Sequence, residues 1–173
     1  GFQGAFGNEL LKAMSDAIAH RGPDGHGIWS IEDPGGRTGF AHRRLSIIDL
    51  SEAGRQPMTV SCDPCGAHAL DELALIYTGE LYNYRELRRD LESRGHRFQS
   101  ASDSEVLLHL YAEHGADMLG LLNGIFAFAI RDGRPDHGSR QRGDVLLARD
   151  PIGVKPLYVA ELRDGVLFAS EMK

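Results

Sequence analysis

Where the apolar run LALIY breaks off, at residues 73 to 77, the chain places Thr78, Gly79 and Glu80, and Asn83 then opens an amphipathic pattern of helical period. A turn can be made in many ways, but a strand end is also where backbone N–H groups become free to meet a ligand. The glycine and the carboxylate at this exit are therefore the first candidates for chemistry. A second candidate is the C-x-x-C of Cys62 and Cys65, with His68 close behind. A structural zinc site needs four ligands, and the sequence shows no matching second pair, so a hairpin loop with two free thiols is expected and no metal site is assigned.

The bulk properties limit what these groups can serve. A chain of 173 residues is long enough for one domain that buries roughly 70% of the surface of its unfolded form. Hydrophobic residues make up 42% and charged residues 25%, and no apolar stretch approaches the roughly 18 residues of a membrane span, which is the pattern of a globular chain. No stretch reads as a signal or transit segment. The formal charge of −6, with both signs scattered, argues against a nucleic-acid binder, which would concentrate Lys and Arg on one face. Two cysteines are too few for a secreted disulfide framework, so the expected location is cytoplasmic.

The elements that must position the strand exit follow from pattern. Gly1 to Ala5 reads as the end of a strand, and Asn8 as the cap of a helix with Leu10, Leu11, Met14, Ala17 and Ile18 at helical spacing. Pro23-Asp24-Gly25 is a turn, and GIWSIE and TGFAHRRL are strands joined across Pro34 to Gly36. RLSIID is a further apolar stretch, and PMTVS pairs with LALIY across CDPCGAHALDE. Asn83 is expected to cap a helix whose inner stripe is Tyr84, Leu87 and Leu91, stopping at Gly95. Ser102 and Glu105 stand in capping-box register before a third helix that presents Val106, Leu107, Leu110 and Tyr111. GIFAFAIRD and DVLLARD are strands, and KPLYVAE and GVLFASE form a last hairpin through Arg163 to Gly165. The expectation is an α+β domain of antiparallel sheets covered by helices.

Seven fragments in order, HRGPDG, HRRLSIIDLSEAGRQPM, GELYNYREL, SDSEV, GIFAFAI, ARDPIGVKPLY and FASEMK, resemble the amino-terminal glutaminase domain of glutamine-dependent asparagine synthetase. The resemblance runs from end to end, over residues 1–173. It implies an N-terminal-nucleophile hydrolase fold, a four-layer αββα sandwich with two antiparallel sheets. It also implies that an N-terminal cysteine, with its own α-amine as base, attacks the side-chain amide of glutamine. Ammonia leaves, passes through a tunnel to a C-terminal synthetase domain that uses ATP and Mg to adenylate aspartate, and water releases glutamate. Glutamine, the synthetase domain and a second copy in a homodimer are the implied partners, and this domain itself needs no cofactor.

The same resemblance assigns residues. Arg44 pairs with the α-carboxylate of glutamine, a task suited to a planar guanidinium. Asp103 and Glu80 receive the α-ammonium, and the Gly79 N–H donates to the oxyanion of the tetrahedral intermediate. Taken without the resemblance, Asp103 equally suits the positive end of a helix and Gly79 a tight turn. His42 and His20 receive no role.

Two departures qualify the picture. The Cys-Gly-Ile-Ala that precedes this segment in the family is not in the sequence, so the chain as it stands is expected not to hydrolyse glutamine. Thr78 stands where the family has an asparagine that gives the second oxyanion donor; a hydroxyl can donate but is shorter and β-branched. Two alternatives therefore stay open: a non-hydrolysing scaffold of the kind found in β-lactam synthetases, and a glutamine-binding module.

Overall fold

The computed structural model describes residues 1–33, 36–45, 54–59, 73–134 and 141–172. Strand β1 (Phe2–Gly4) leads to helix α1 (Asn8–Ala17), a 3-10 turn (Ala19–Arg21) and the hairpin of β2 (Gly25–Asp33) and β3 (Gly36–Arg44). After β4 (Met58–Thr59) and β5 (Leu73–Leu81) come α2 (Tyr84–Ser93), α3 (Asp103–His114) and a 3-10 helix (Gly115–Leu121). The chain then forms β6 (Gly124–Asp132), β7 (Asp144–Arg149), β8 (Tyr158–Leu162) and β9 (Gly165–Ala169). The strands build a five-stranded sheet in the order β2-β3-β1-β9-β8 and a four-stranded sheet in the order β4-β5-β6-β7, with every ladder antiparallel.

Period-two burial stacks these sheets. On β5, Leu73, Leu75, Tyr77 and Leu81 face α3, where Val106, Leu107, Leu110 and Tyr111 close a core under the helices. The alternate residues Ala74 and Ile76 face the other way and pack with Ala129 of β6 against Phe40, Phe168 and Trp29 of the five-stranded sheet. That second core lies between the sheets. On β3, Phe40 points into it, so Gly39 and Arg43 point outward: the Phe2 ring lies over the bare Gly39, and Arg43 donates to the Ser15 carbonyl at 3.0 Å and to Asp16 Oδ1 at 2.6 Å on α1. Helix α1 thus covers one outer face and α2 with α3 the other, which gives the expected αββα order.

Three local expectations change. Asn8 is the first residue of α1, and Gly7 holds the cap position without a side chain to offer. Asn83 does sit at the cap of α2, but its amide donates to the Leu121 carbonyl at 2.9 Å and accepts the Asn123 N–H at 3.1 Å, tying the helix start to the entry of β6. Ser102 caps α3 by accepting the Ser104 N–H, yet Glu105 does not complete a capping box. Its carboxylate takes the N–H groups of Gln99 and Ser100, each at 2.7 Å, because those donors sit in a turn with no strand to serve them. The residues 46–49 of RLSIID and the loop carrying Cys62, Cys65 and His68 lie outside the described residues.

At the hairpin end of the sandwich a buried ion pair crosses from one sheet to the other. Arg131 of β6 donates to both carboxylate oxygens of Asp33 on β2, which also accepts the Thr38 hydroxyl at 2.7 Å. Their side chains are 4% and 2% exposed, so removing one partner strands the other charge away from water. Asp33→Ala is therefore expected to lower unfolding free energy by about 3 to 5 kcal/mol in urea titration, with the cavity end of the sandwich intact.

Candidate active site

A cavity of about 340 Å³ opens between the two sheets at the end away from the Asp33–Arg131 pair, and Arg44, Thr78, Gly79, Glu80 and Asp103 all line it, together with Gly1 at the start of β1. The residues that the resemblance singled out therefore converge, although they come from β3, β5 and the first turn of α3. Arg44 is the last residue of β3 and has the parity of Phe40, so it turns inward where Arg43 turns out. Its backbone is held by the preceding turn: the Asp24 N–H donates to the Arg44 carbonyl at 3.0 Å, and Pro23 forms a bridge to the same residue. Gly22 lets this turn close, since a Cβ there would lie 2.3 Å from the Arg43 carbonyl carbon. HRGPDG is thus the brace of Arg44.

The edge of β5 sets the donors. Even-numbered residues of this strand bond to β6, as the Tyr82 N–H does in donating to the Asn123 carbonyl at 2.8 Å, so odd-numbered ones bond outward. Strand β4 meets that edge only at Leu75 and Ala74. Beyond it, side chains replace the missing strand. Tyr77 N–H donates to Gln56 Oε1 at 2.6 Å, the Tyr77 carbonyl meets His42 Nε2 at 3.1 Å, and Leu81 N–H donates to Asp103 Oδ2 at 3.2 Å. Between them Gly79 turns its N–H to the same edge, where no β4 residue reaches among those described. The glycine itself answers to β6: with φ at +153°, a Cβ would lie 2.2 Å from the Ile125 carbonyl oxygen.

Asp103 is 4% exposed and accepts the Tyr77 hydroxyl at 2.7 Å on the oxygen that also takes the Leu81 N–H. Burial pushes its pKa up, and these donors pull it back. The Tyr77 hydroxyl is pushed up as well, by burial first and then by the Asp103 charge, so it stays protonated and donates. Asp103 is thus both the first residue of a helix and a carboxylate built into the cavity wall. Glu80 is exposed at the mouth.

The sequence reading missed several contributors. Gln56 and His42 were left without roles. Burial lowers the His42 pKa from 6.5 to about 4, against the hydrogen bond to Tyr77 and with the help of the Arg44 charge, so the ring is neutral and carries its proton on Nε2, facing a carbonyl that can only accept. Arg21 also lines the cavity and donates to Glu171 Oε1 at 3.1 Å, which His20 Nε2 approaches at 2.9 Å. HRGPDG and FASEMK were legible as motifs, and this contact joins them. Burial raises the pKa of Asp150, but N–H donors from Lys155, Val154 and Phe126 hold it down to about 2. Those bonds shape the Lys155 to Leu157 wall. Among the described residues no three His, Cys, Asp or Glu side chains gather to hold a metal ion, and no helix is long and apolar enough to cross a membrane.

The His42 shift has a definite sign. Between pH 6.5 and about 4 the unfolded chain binds a proton that the folded ring refuses, so stability conferred by the fold is lost as pH falls through that window. His42→Gln, which keeps an N–H donor for the Tyr77 carbonyl, is expected to flatten this slope in unfolding free energies measured at successive pH values; an unchanged slope contradicts the assignment.

Comparison with known proteins accords with this geometry. The chain is 41% identical over 165 residues to asparagine synthetase [glutamine-hydrolyzing] 3 of Bacillus subtilis, covering 95% of this chain and 24% of the relative. It is 44% identical over 167 residues to asparagine synthetase [glutamine-hydrolyzing] 1 of the same organism, covering 95% and 23%. A probable asparagine synthetase of Dictyostelium discoideum is 39% identical over 163 residues, covering 93% and 26%. The chain thus spans about a quarter of the length of these relatives. Among solved structures, the glutamine phosphoribosylpyrophosphate amidotransferase of B. subtilis, complexed with ADP and GMP, superposes with a TM-score of 0.73 over 98% of this chain and 40% of its own, at 24% identity. That likeness speaks for the shared N-terminal-nucleophile amidotransferase fold. The glutamine amidotransferase domain family matches residues 3–173, and this chain belongs to it.

Proposed function

We propose that the cavity binds the zwitterion of glutamine and that this domain releases its amide nitrogen as ammonia for an asparagine-forming enzyme. The observation that carries the proposal is the convergence of the Arg44 guanidinium, the Glu80 and Asp103 carboxylates and the Gly79 edge N–H on a single hollow. Arg44 takes the α-carboxylate through paired N–H donors, and Asp103 with Glu80 takes the α-ammonium. The side-chain amide then lies toward Gly79 and Thr78, whose N–H and hydroxyl face the oxyanion. A cysteine thiol borne on chain ahead of Gly1 enters the same cavity, because Gly1 lines it while paired to Phe168 through both its N–H and its carbonyl. Sulfur bonds to the amide carbon, the C–N bond breaks with the proton passing to the departing ammonia, and water cleaves the thioester to give glutamate. In the longer protein the ammonia serves a synthetase domain that uses ATP and Mg, in a homodimer.

A second reading draws on Thr78. Losing one oxyanion donor costs roughly 10² to 10³ in rate, and a domain that tolerates this change fits a scaffold that binds without turnover. Calorimetry separates binding from its absence: L-glutamine is expected to bind this chain, and Arg44→Ala to weaken binding by roughly 10-fold or more, the worth of a charge-assisted pair. No heat with glutamine, or equal affinity in the variant, overturns the site. In the full-length protein carrying its N-terminal cysteine, Thr78→Asn is expected to raise glutamate release at saturating glutamine; equal or lower turnover shows the threonine to be adequate. Glutamine binding with no turnover in either form supports the scaffold.

A further inference from the structure

Gln56 stands outside every role assigned so far, yet it touches four elements of the site. Its side chain is buried, with Oε1 accepting the Tyr77 N–H at 2.6 Å and Nε2 donating to Ser104 Oγ at 3.2 Å on α3. Its backbone carbonyl lies over Gly27 of β2, where a Cβ would come within 2.1 Å, and the chain continues from it through Pro57 into β4. The amide orientation is fixed by chemistry, since a backbone N–H requires the oxygen.

We propose that Gln56 is a positioning residue for the oxyanion donor Gly79, acting through the β5 backbone. The inference rests on the reading of Gly79 as that donor. The geometry gives the reason: β4 begins opposite Leu75, and Tyr77 is the next residue whose N–H faces the uncovered edge, with Gly79 following it. Gln56 extends the ladder by one rung with a side chain, and it anchors that rung to the same helical turn that carries Asp103. His42 holds the Tyr77 carbonyl from the opposite sheet. The two peptide units that flank the Tyr77 Cα are therefore each held, the first by Gln56 and the second by His42, and the Gly79 N–H, one peptide further along, inherits its direction from them. Asp103 fixes the strand on the far side, at Leu81. A donor aimed at an oxyanion contributes only if its position is set before the reaction.

Such a role separates turnover from binding. In the full-length protein, Gln56→Met keeps the volume and removes both hydrogen bonds. Its kcat for glutamate release is expected to fall roughly 10- to 100-fold, part of the value of one oxyanion donor, while the glutamine Kd from calorimetry changes less than about threefold. Unchanged kcat overturns the inference, and so does a Kd that weakens in step with kcat, because Gln56 then shapes the ground-state pocket. Should Gln56→Met not fold, Ser104→Ala frees only the far end of the amide. A smaller fall in kcat at constant Kd supports the role, and none overturns it. A parent protein that fails to bind glutamine overturns the reading of the site and this inference with it; a parent that turns over glutamine, with both variants unaffected, overturns the inference alone.

Discussion

A strand of two residues lies beside a strand of nine, and the backbone groups left over have to be satisfied within a largely buried region. Most of the site follows from that constraint. Were β4 as long as β5, every outward N–H of β5 would be spent on a ladder, and the cavity would be filled by a strand. Because β4 starts only opposite Leu75, a glutamine, a histidine and an aspartate take its place further along β5, and one N–H between them is turned toward the hollow. A ladder that starts late is here the origin of a polar recess inside a sandwich of apolar sheets.

The buried polar groups divide by what surrounds them. Asp33 and Arg131 neutralise each other and tie the sheets together at the end away from the cavity. Among the described residues the hydrogen-bond partners of Asp103 are the Tyr77 hydroxyl and backbone N–H groups, none of them a cation, and burial raises its pKa. Such a carboxylate retains capacity for a positively charged group. Asp150 lies at the other extreme, with so many N–H donors that its charge is fully spent on shaping a turn. Three carboxylates of similar burial thus do three different things, and only the one left short of positive charge faces the cavity.

Much of this was legible in the sequence, and the limits are instructive. The strands and helices were readable because apolar periods of 2 and 3.6 are local, and Arg44, Gly79 and Asp103, which line the cavity, could be singled out because they lie inside short motifs with order and spacing. Gln56 and His42 sat in such motifs too, but their work is done on the backbone of Tyr77, 21 and 35 residues away, and no local pattern encodes that. The failed capping box has the same origin: Glu105 chose between its own helix and an adjacent turn, and the choice depended on which donors were left unserved. The reason for Gly79 was also half visible. Its N–H was read as a donor, whereas the missing side chain answers to strand β6.

One detail of β3 bears on how chains of this kind are compared. Arg43 and Arg44 are adjacent and chemically identical, yet one seats a helix on the outer face while the other looks into the hollow. An alignment that slips by a single place at this pair still matches arginine to arginine and scores almost as well. It nevertheless exchanges a structural cation for a ligand-facing one. Here the identity of the residue says little, and the number of residues counted from Phe40 says which arginine turns inward.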